Sequence, residues 1–171
     1  MCQILFLLKK KIDSWQSSGI LPKRQIEFLP ADFNTEYEEA LIKQLGTLTK
    51  DKKIFILLEG VLFFISRDDT NKLFSLFGEI QNSGEYVGSV SFQKAIEKKS
   101  AFKKLEKFAK ERLDFNEKFC YQTVEDSYYE NLDNYQVIEH HDTVSLNNKH
   151  GGKELNLNEL LDEHMYILKR K

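Results

Sequence analysis

The sequence predicts an α/β fold, a layered sheet with helices on both faces. Helix-like and strand-like hydrophobic patterns alternate over the first half of the chain, which is typical of α/β sheets. The segment Ile54–Leu58 is apolar without polar alternation, and such continuity is typical of a strand covered on both faces. Two strand-like segments near the carboxyl terminus, residues 136–146 and 164–171, predict an antiparallel hairpin at the end of the sheet.

Length and composition limit the classes of protein to consider. The 171 residues suit a single domain, residues 1–171, and 41% hydrophobic with 30% charged residues is typical of a globular chain. The net charge of −2 and the pI near 6.1 argue against nucleic acid as a partner, because phosphate binding needs a basic surface.

Two further features concern the cellular setting. Cys2 and Cys120 do not predict a disulfide framework, and this cysteine usage favours the reducing cytoplasm. The apolar run at residues 4–8 is far shorter than the ~20 apolar residues that a membrane-spanning helix needs. We therefore expect a cytoplasmic protein with no membrane partner.

The elements of the first half follow from hydrophobic spacing and from capping residues. Ser66 and Asp69 have the spacing of a capping box, as do Thr35 and Glu38, so each pair predicts the start of a helix. The first segment, residues 4–15, is predicted as a helix or as the end of a strand followed by a helix. The predicted order continues with a strand at 25–29, a helix from Thr35 to a Gly46 cap, the strand at 54–58, a helix after Ser66, and a strand at 85–92.

The second half has longer helical segments. Residues 93–115 predict one long helix, whose lysines are interspersed with Glu97, Glu106 and Glu111. A solvated face is therefore a better interpretation of these lysines than a nucleic-acid surface. A short helix is predicted within residues 123–135, and residues 147–163 form a polar excursion with turns between the last two strands.

The segment EGVLFFIS, Glu59 to Ser66, follows the continuous apolar strand and precedes a capped helix. It resembles the EGVLxYL signature of the leucine carboxyl methyltransferase family, which includes polyketide O-methyltransferases of the TcmP type. Upstream, IEFLPADFN at residues 26–34 resembles the PADL segment of that family, and ILFLLKKKIDSW at residues 4–15 resembles the helix after its second strand. The resemblance implies the Rossmann-like sheet of a class I methyltransferase that uses S-adenosylmethionine.

The resemblance covers the carboxyl-terminal part of the family's fold. The family's first strand, its glycine-rich loop and the acid that binds the cofactor ribose are expected before residue 1. In the usual class I strand order, 3-2-1-4-5-7-6, the first two strands would lie between the strand predicted at residues 25–29 and the one predicted at residues 53–58. Without them this strand is an exposed apolar edge, which invites pairing with another chain. We therefore expect a homodimer or an amino-terminal partner chain that completes the sheet.

The resemblance also implies cofactor-binding residues. Glu59 would contact the charged methionine end of S-adenosylmethionine, and Gly60 would let the backbone come close to it. Asp32 would accept a hydrogen bond from the adenine amino group, and Phe33 would pack on the adenine ring. From position alone, Glu59 can equally be a solvated or helix-capping residue at a strand–helix junction, and Asp32 can simply begin a turn.

Other candidate residues favour structural interpretations. His140 and His141 are adjacent on a predicted strand, so their side chains point to opposite faces and are poorly placed to chelate one ion. The sequence has no cysteine pair and no zinc-protease spacing of histidine and glutamate, so no metal is expected. Phe63 and Phe64 stand where the family has a pair ending in Tyr, and core packing is the better interpretation.

Two functions are compatible with these patterns. The first is an O-methyltransferase that transfers the methyl group of S-adenosylmethionine to a carboxylate or hydroxyl oxygen of a small molecule or a peptide. Alignment of donor and acceptor would supply most of its rate, and no catalytic base can be assigned. The second is an inactive methyltransferase remnant that acts as an interaction module through its exposed sheet edge.

Overall fold

The structure is a computed structural model that describes residues 13–15, 17–19, 36–50, 52–112 and 121–171. The chain divides into two compact units, Met1–Leu45 and Gly46–Lys171, and the second contains the sheet. The strand predicted at residues 25–29 lies outside the described residues, and a single domain over the whole chain stays a prediction.

Residues 13–15 and 17 are helical, at and just beyond the end of the helix predicted at residues 4–15. From Glu38 onward, four strands and four α-helices alternate along the described chain. The helices are α1 (Glu38–Thr49), α2 (Arg67–Ile80), α3 (Ser100–Arg112) and α4 (Thr143–Lys149). The strands are β1 (Phe55–Leu58), β2 (Tyr86–Phe92), β3 (Tyr135–Asp142) and β4 (Glu163–Arg170). Short 3-10 turns lie at Leu62–Phe64, Lys94–Lys98 and Tyr129–Asn131.

The strands form one mixed sheet in the order β1-β2-β4-β3. Strands β1 and β2 are parallel, whereas β4 is antiparallel to both of its neighbours, β2 and β3. The predicted α/β class and the predicted antiparallel hairpin are therefore confirmed. The chain therefore forms β3 at the outer position of the sheet first, and β4 then inserts between β3 and β2.

One face of the sheet, which carries Leu58, Val87 and Leu168, is buried and is called the covered face. Helix α2 packs on this side through its buried residues Leu73, Phe74, Leu76 and Phe77. The Phe74 ring lies 5.8 Å from the Tyr135 ring at an angle of 70°, an edge-on contact favoured by aromatic quadrupoles.

Helix α2 begins where the sequence predicts. The Ser66 side chain accepts a hydrogen bond from the Asp69 backbone N–H at 3.1 Å, which satisfies one of the unpaired donors of the first turn. Asp68 and Asp69 also place negative charge at the positive end of the helix dipole. The predicted cap at Ser66 is confirmed, whereas its counterpart at Thr35 lies outside the described residues.

The opposite face of the sheet is exposed near β1. Phe55, Leu57 and Tyr86 lie on this open face, and their side chains are 59%, 56% and 40% exposed. Side chains alternate between faces along a strand, so Leu58 is buried while Leu57 is not. The expectation that this strand is covered on both faces is therefore wrong.

A second core lies at the end of β2. Phe63, Ile96 and Phe102 are buried together, and Phe92, Leu105 and Tyr121 pack against them. The Phe63 ring stacks on Tyr121 at 5.8 Å and meets Phe92 and Phe102 edge-on. The core interpretation of Phe63 is confirmed, whereas Phe64 is largely exposed.

The predicted long helix at residues 93–115 is interrupted, which corrects the prediction. Residues Lys94–Lys98 form a 3-10 turn, and Lys99 has an extended backbone before α3 starts at Ser100. The cause is tertiary, because the Lys94 N–H donates to the Val124 carbonyl at 2.9 Å and fixes the chain beside residues 122–124. Helix α3 is described to Arg112, and Leu113 to Phe115 lie outside the described residues.

Three other element boundaries differ from the sequence predictions. Helix α1 continues through Gly46 to Thr49, and residues 123–135 contain turns and a 3-10 turn instead of a helix. Strand β3 ends at Asp142 because its carboxylate accepts from the Ser145 N–H at 2.6 Å. The Ser145 side chain accepts in return from the Asp142 N–H, so this capping box starts α4 inside the predicted strand.

The second core generates a stability prediction. Phe102 is 1% exposed, so Phe102→Ala should lower the free energy of unfolding by about 3–5 kcal/mol, since it removes a buried ring and leaves a cavity. Phe108→Ala on the same helix is the matched control, because Phe108 is 56% exposed and its loss should cost less than about 1 kcal/mol. Urea unfolding followed by circular dichroism measures both, and equal losses would contradict this description of the core.

Candidate functional site

The candidate site lies at the carboxyl end of β1. Strand β1 ends at Leu58, and Glu59 and Gly60 follow it as exposed residues. In α/β sheets, ligands bind beyond the carboxyl ends of the parallel strands, so this is the expected edge for a site. The structure therefore brings the predicted pair Glu59 and Gly60 to one edge. Asp32 and Phe33 lie outside the described residues.

Gly60 has a conformational reason to be glycine. Its φ of 66° lies in the left-handed region, where a side chain is strained. Among the described residues, a Cβ added to Gly60 would meet no atom within 4 Å, so this part of the chain leaves the space beside the backbone open. The left-handed turn redirects the chain from β1 into the 3-10 turn Leu62–Phe64. Backbone at this point is accessible to a ligand.

Gln122 holds the turn after Gly60 in place. Its amide nitrogen Nε2 donates to the Leu62 carbonyl at 3.1 Å and to the Thr70 hydroxyl at 2.7 Å. Its backbone N–H donates to the Phe63 carbonyl at 3.1 Å. Gln122 is buried, so these hydrogen bonds form in a dry setting and fix the path of the chain from β1 to α2.

A second carboxylate, Glu163, belongs to the same edge. Strand β4 is antiparallel and starts with Glu163, which pairs in register with Phe92 at the end of β2. Burial, and then the negative charge of Glu59, raise the pKa of the Glu163 carboxyl above its usual value. The two carboxylates therefore repel each other, and a nearby cationic group would relieve that repulsion.

Sequence reasoning missed Glu163. Its only signal in the sequence is its position at the start of the final strand, because an antiparallel strand starts where its parallel neighbours end. Glu59 and Glu163 are more than a hundred positions apart in the sequence. Their location at the same end of the sheet is therefore not evident until the strand order is known.

The covered face carries a buried polar network. The Tyr129 hydroxyl lies 2.9 Å from the Ser89 hydroxyl and donates to the Ser91 hydroxyl at 3.0 Å. Gln93 Nε2 donates to the Tyr166 hydroxyl at 2.6 Å, and burial raises the pKa of Tyr166 to about 12. Tyr166 therefore stays protonated at neutral pH and serves as a neutral member of this network.

Two histidines continue this network toward the surface. His140 Nε2 lies 2.9 Å from His164 Nδ1, and the His140 ring stacks on the Tyr166 ring with centroids 4.2 Å apart. His141 instead lies 3.4 Å from the Glu139 carboxylate, and its register partner is Met165. His140 and His141 thus point to opposite faces, as predicted. Among the described residues no group of three or more histidine, cysteine, aspartate or glutamate side chains could hold a metal ion.

No protein-family model matches the chain, and no curated protein matches it significantly. None of the helices in the described ranges is long and apolar enough to cross a membrane.

The histidine pair generates a pH prediction. Burial lowers the pKa of His164 below its unfolded value of 6.5, against the opposing effect of Asp162. The neutral ring therefore stabilises the fold above about pH 6.5, and this contribution is lost as the pH falls below that value. Thermal unfolding of the wild-type protein should show a lower midpoint at about pH 5.5 than at about pH 7.5.

A matched pair of variants tests the assignment. His164→Asn should have a smaller pH dependence of the midpoint over this range, because it removes the group that resists protonation. His150→Asn is the control, because His150 is an exposed residue after α4, and it should keep the wild-type pH dependence. The same pH dependence in His164→Asn and in the wild-type protein would contradict the assignment.

Proposed function

We propose that the chain carries part of a class I methyltransferase sheet that uses S-adenosylmethionine, and that the site at Glu59 and Gly60 contributes to methyl transfer. The observation that carries the proposal is the strand order. The order β1-β2-β4-β3, with β4 antiparallel between β2 and β3, corresponds to the last four positions, 4-5-7-6, of the class I order. The resemblance of Glu59–Ser66 to the methyltransferase signature agrees with this correspondence.

The residues at the edge fit the proposed cofactor. S-adenosylmethionine supplies an activated methyl group on a positively charged sulfur, and it also carries an ammonium group. The exposed Glu59 carboxylate and the neighbouring Glu163 make the edge negative, which favours either cation. The open space beside Gly60 admits a group close to the backbone. Glu59 would hold and orient the cationic end, and Gly60 would permit the approach.

The acceptor in this proposal is a carboxylate or hydroxyl oxygen of a small molecule or a peptide. A carboxylate is already an anionic nucleophile at neutral pH, so it needs no base. The contribution of the chain is then to hold donor and acceptor in line, which supplies a large part of such rate gains. The cytoplasm, favoured by the cysteine usage, belongs to the same proposal.

A second candidate function is an interaction module built on a methyltransferase-like sheet. The exposure of Phe55 and Leu57 on β1 favours it, because adjacent large apolar side chains on a strand at the edge of a sheet mark a surface that binds another chain. This function requires no cofactor. A direct measurement of S-adenosylmethionine binding therefore distinguishes the two candidate functions.

The cofactor site generates a binding prediction. Calorimetric titration should detect binding of S-adenosylmethionine and of S-adenosylhomocysteine, which lacks the charge on sulfur. Glu59→Gln should weaken S-adenosylmethionine binding by about tenfold, the loss expected for one charge-assisted contact. Asp32→Ala should weaken the binding of both ligands, because the resemblance implies that Asp32 contacts the adenine group that both contain.

The control for Glu59→Gln is Glu79→Gln, the same change at an exposed position of α2, which should leave both affinities unchanged. Equal affinities of Glu59→Gln and the wild-type protein would refute the assigned role of Glu59. Absence of binding by a folded wild-type chain would refute the cofactor proposal and leave the interaction module.

A further inference from the structure

Strand β1 has an edge that the described residues leave unpaired. Within these residues β1 pairs with β2 alone. The Ile54 N–H points to the β2 side, where it donates to the Glu85 carboxylate at 3.1 Å. Backbone groups alternate in direction along a strand, so the N–H and C=O groups of Phe55 and Leu57 point away from β2. Such a row of unpaired groups is a template for another strand.

The charges along residues 53–59 are complementary to those of a second, antiparallel copy of the same segment. The sequence from Lys53 to Glu59 has a cation at one end, an anion at the other and five apolar residues between them, with Ile56 at the centre. When two such strands run antiparallel about Ile56, each Lys53 lies opposite the partner's Glu59. Opposite charges in directly opposed positions stabilise a strand pair.

We propose that β1 pairs antiparallel with β1 of a second copy of this chain, centred on Ile56, so that one sheet continues across both copies. The pairing is isologous, because a twofold axis perpendicular to the sheet relates the two strands. The inference goes beyond the proposed function, since it concerns the assembly of the chain and requires no cofactor.

The backbone geometry agrees with this register. Phe55 lies opposite the partner's Leu57, and both residues turn their N–H and C=O groups to the shared edge, so each such pair exchanges two hydrogen bonds. A shift of the register by one residue would place Phe55 opposite a partner residue whose N–H and C=O groups point to that partner's own β2. The hydrogen bonds between the two copies would then be lost. A shift by two residues keeps the bonds but moves Glu59 away from the partner's Lys53.

The side chains of the open face agree as well. Phe55 and Leu57 alternate along β1 to the open face, and Lys53 and Glu59, which flank the strand, are exposed as well. If the pairing extends β1 by these flanking residues, Lys53 and Glu59 lie on the same face as Phe55 and Leu57. In the pair, Phe55 of each copy packs beside Leu57 of the other copy, and these two contacts cover apolar surface that is otherwise in water. Each Lys53 also supplies a positive charge beside the negative edge formed by Glu59 and Glu163.

Sedimentation equilibrium over a range of protein concentrations tests the proposal. The wild-type chain should be a dimer that dissociates on dilution. Lys53→Glu and Glu59→Lys should each weaken association by about tenfold, because each places two pairs of like charges across the interface. The double variant Lys53→Glu/Glu59→Lys should restore association by reversing both pairs. Lys103→Glu, the same change on the exposed side of α3, should have no effect.

A cross-linking experiment tests the register. In the proposed pair the two copies of Ile56 face each other with Cα atoms about 4.5 Å apart, within the range for a disulfide. In a chain with Cys2→Ser and Cys120→Ser, the variant Ile56→Cys should form a disulfide-linked dimer on mild oxidation. Ile54→Cys should not, since its two copies would lie about 13 Å apart along the strands.

Several results would overturn the proposal. A chain that sediments as a monomer at all concentrations would overturn it. The partner of the β1 edge would then have to be residues 1–35 or a different polypeptide. A dimer that is insensitive to both charge reversals, or equal cross-linking of Ile54→Cys and Ile56→Cys, would show that a different surface associates. None of these results depends on cofactor binding, so they are distinct from a failure of the proposed function.

Discussion

The insertion of β4 between β2 and β3 is the constraint on which the rest of the sheet depends. Leu168 of β4 is fully buried, and its backbone pairs with Val87 on one side and Val137 on the other. At the end of the chain, Arg170 exchanges backbone hydrogen bonds with Gly84 and Glu85 at 2.8 Å. Strand β4 thus holds two earlier strands, β2 and β3, together.

The same insertion sets the chemistry of the candidate site. An antiparallel strand brings its first residues to the edge where its parallel neighbours end, so Glu163 comes to the region of Glu59. On the covered face it brings His164 and Tyr166 against His140. One topological feature therefore creates both the negative edge and the histidine–tyrosine stack, although they lie on opposite faces of the sheet.

Local signals in the sequence predicted the features that local physics controls. The apolar run ending at Leu58 is a strand, and Ser66 caps the helix that follows, because neither feature needs a distant partner. Burial is a property of the whole fold, so the same run did not reveal that Phe55 and Leu57 are exposed. A cap at Asp142 was readable from Ser145 three positions later, yet the strand pattern around the histidines concealed it.

Other differences arise from long-range contacts that no local pattern encodes. The interruption of the predicted helix at Lys99 follows from the anchoring of Lys94 on Val124, thirty positions away. The role of Gln122 in fixing the turn after Gly60 is of the same kind, since its partners Leu62 and Thr70 are distant in sequence. Of the candidate site, Glu59 and Gly60 could be proposed from the sequence, whereas Glu163 required the strand order.

Glu59 is the residue on which both proposals converge, since its carboxylate has two oxygens that can accept from a ligand cation and from a neighbouring chain. The most direct test of the central claim, that the edge at Glu59 and Gly60 binds S-adenosylmethionine, is a nuclear magnetic resonance titration of the ¹⁵N-labelled chain with this cofactor. The account predicts that the largest changes in amide shift fall on Glu59, Gly60 and Glu163. Changes confined to other residues, or no changes at saturating cofactor, would contradict it.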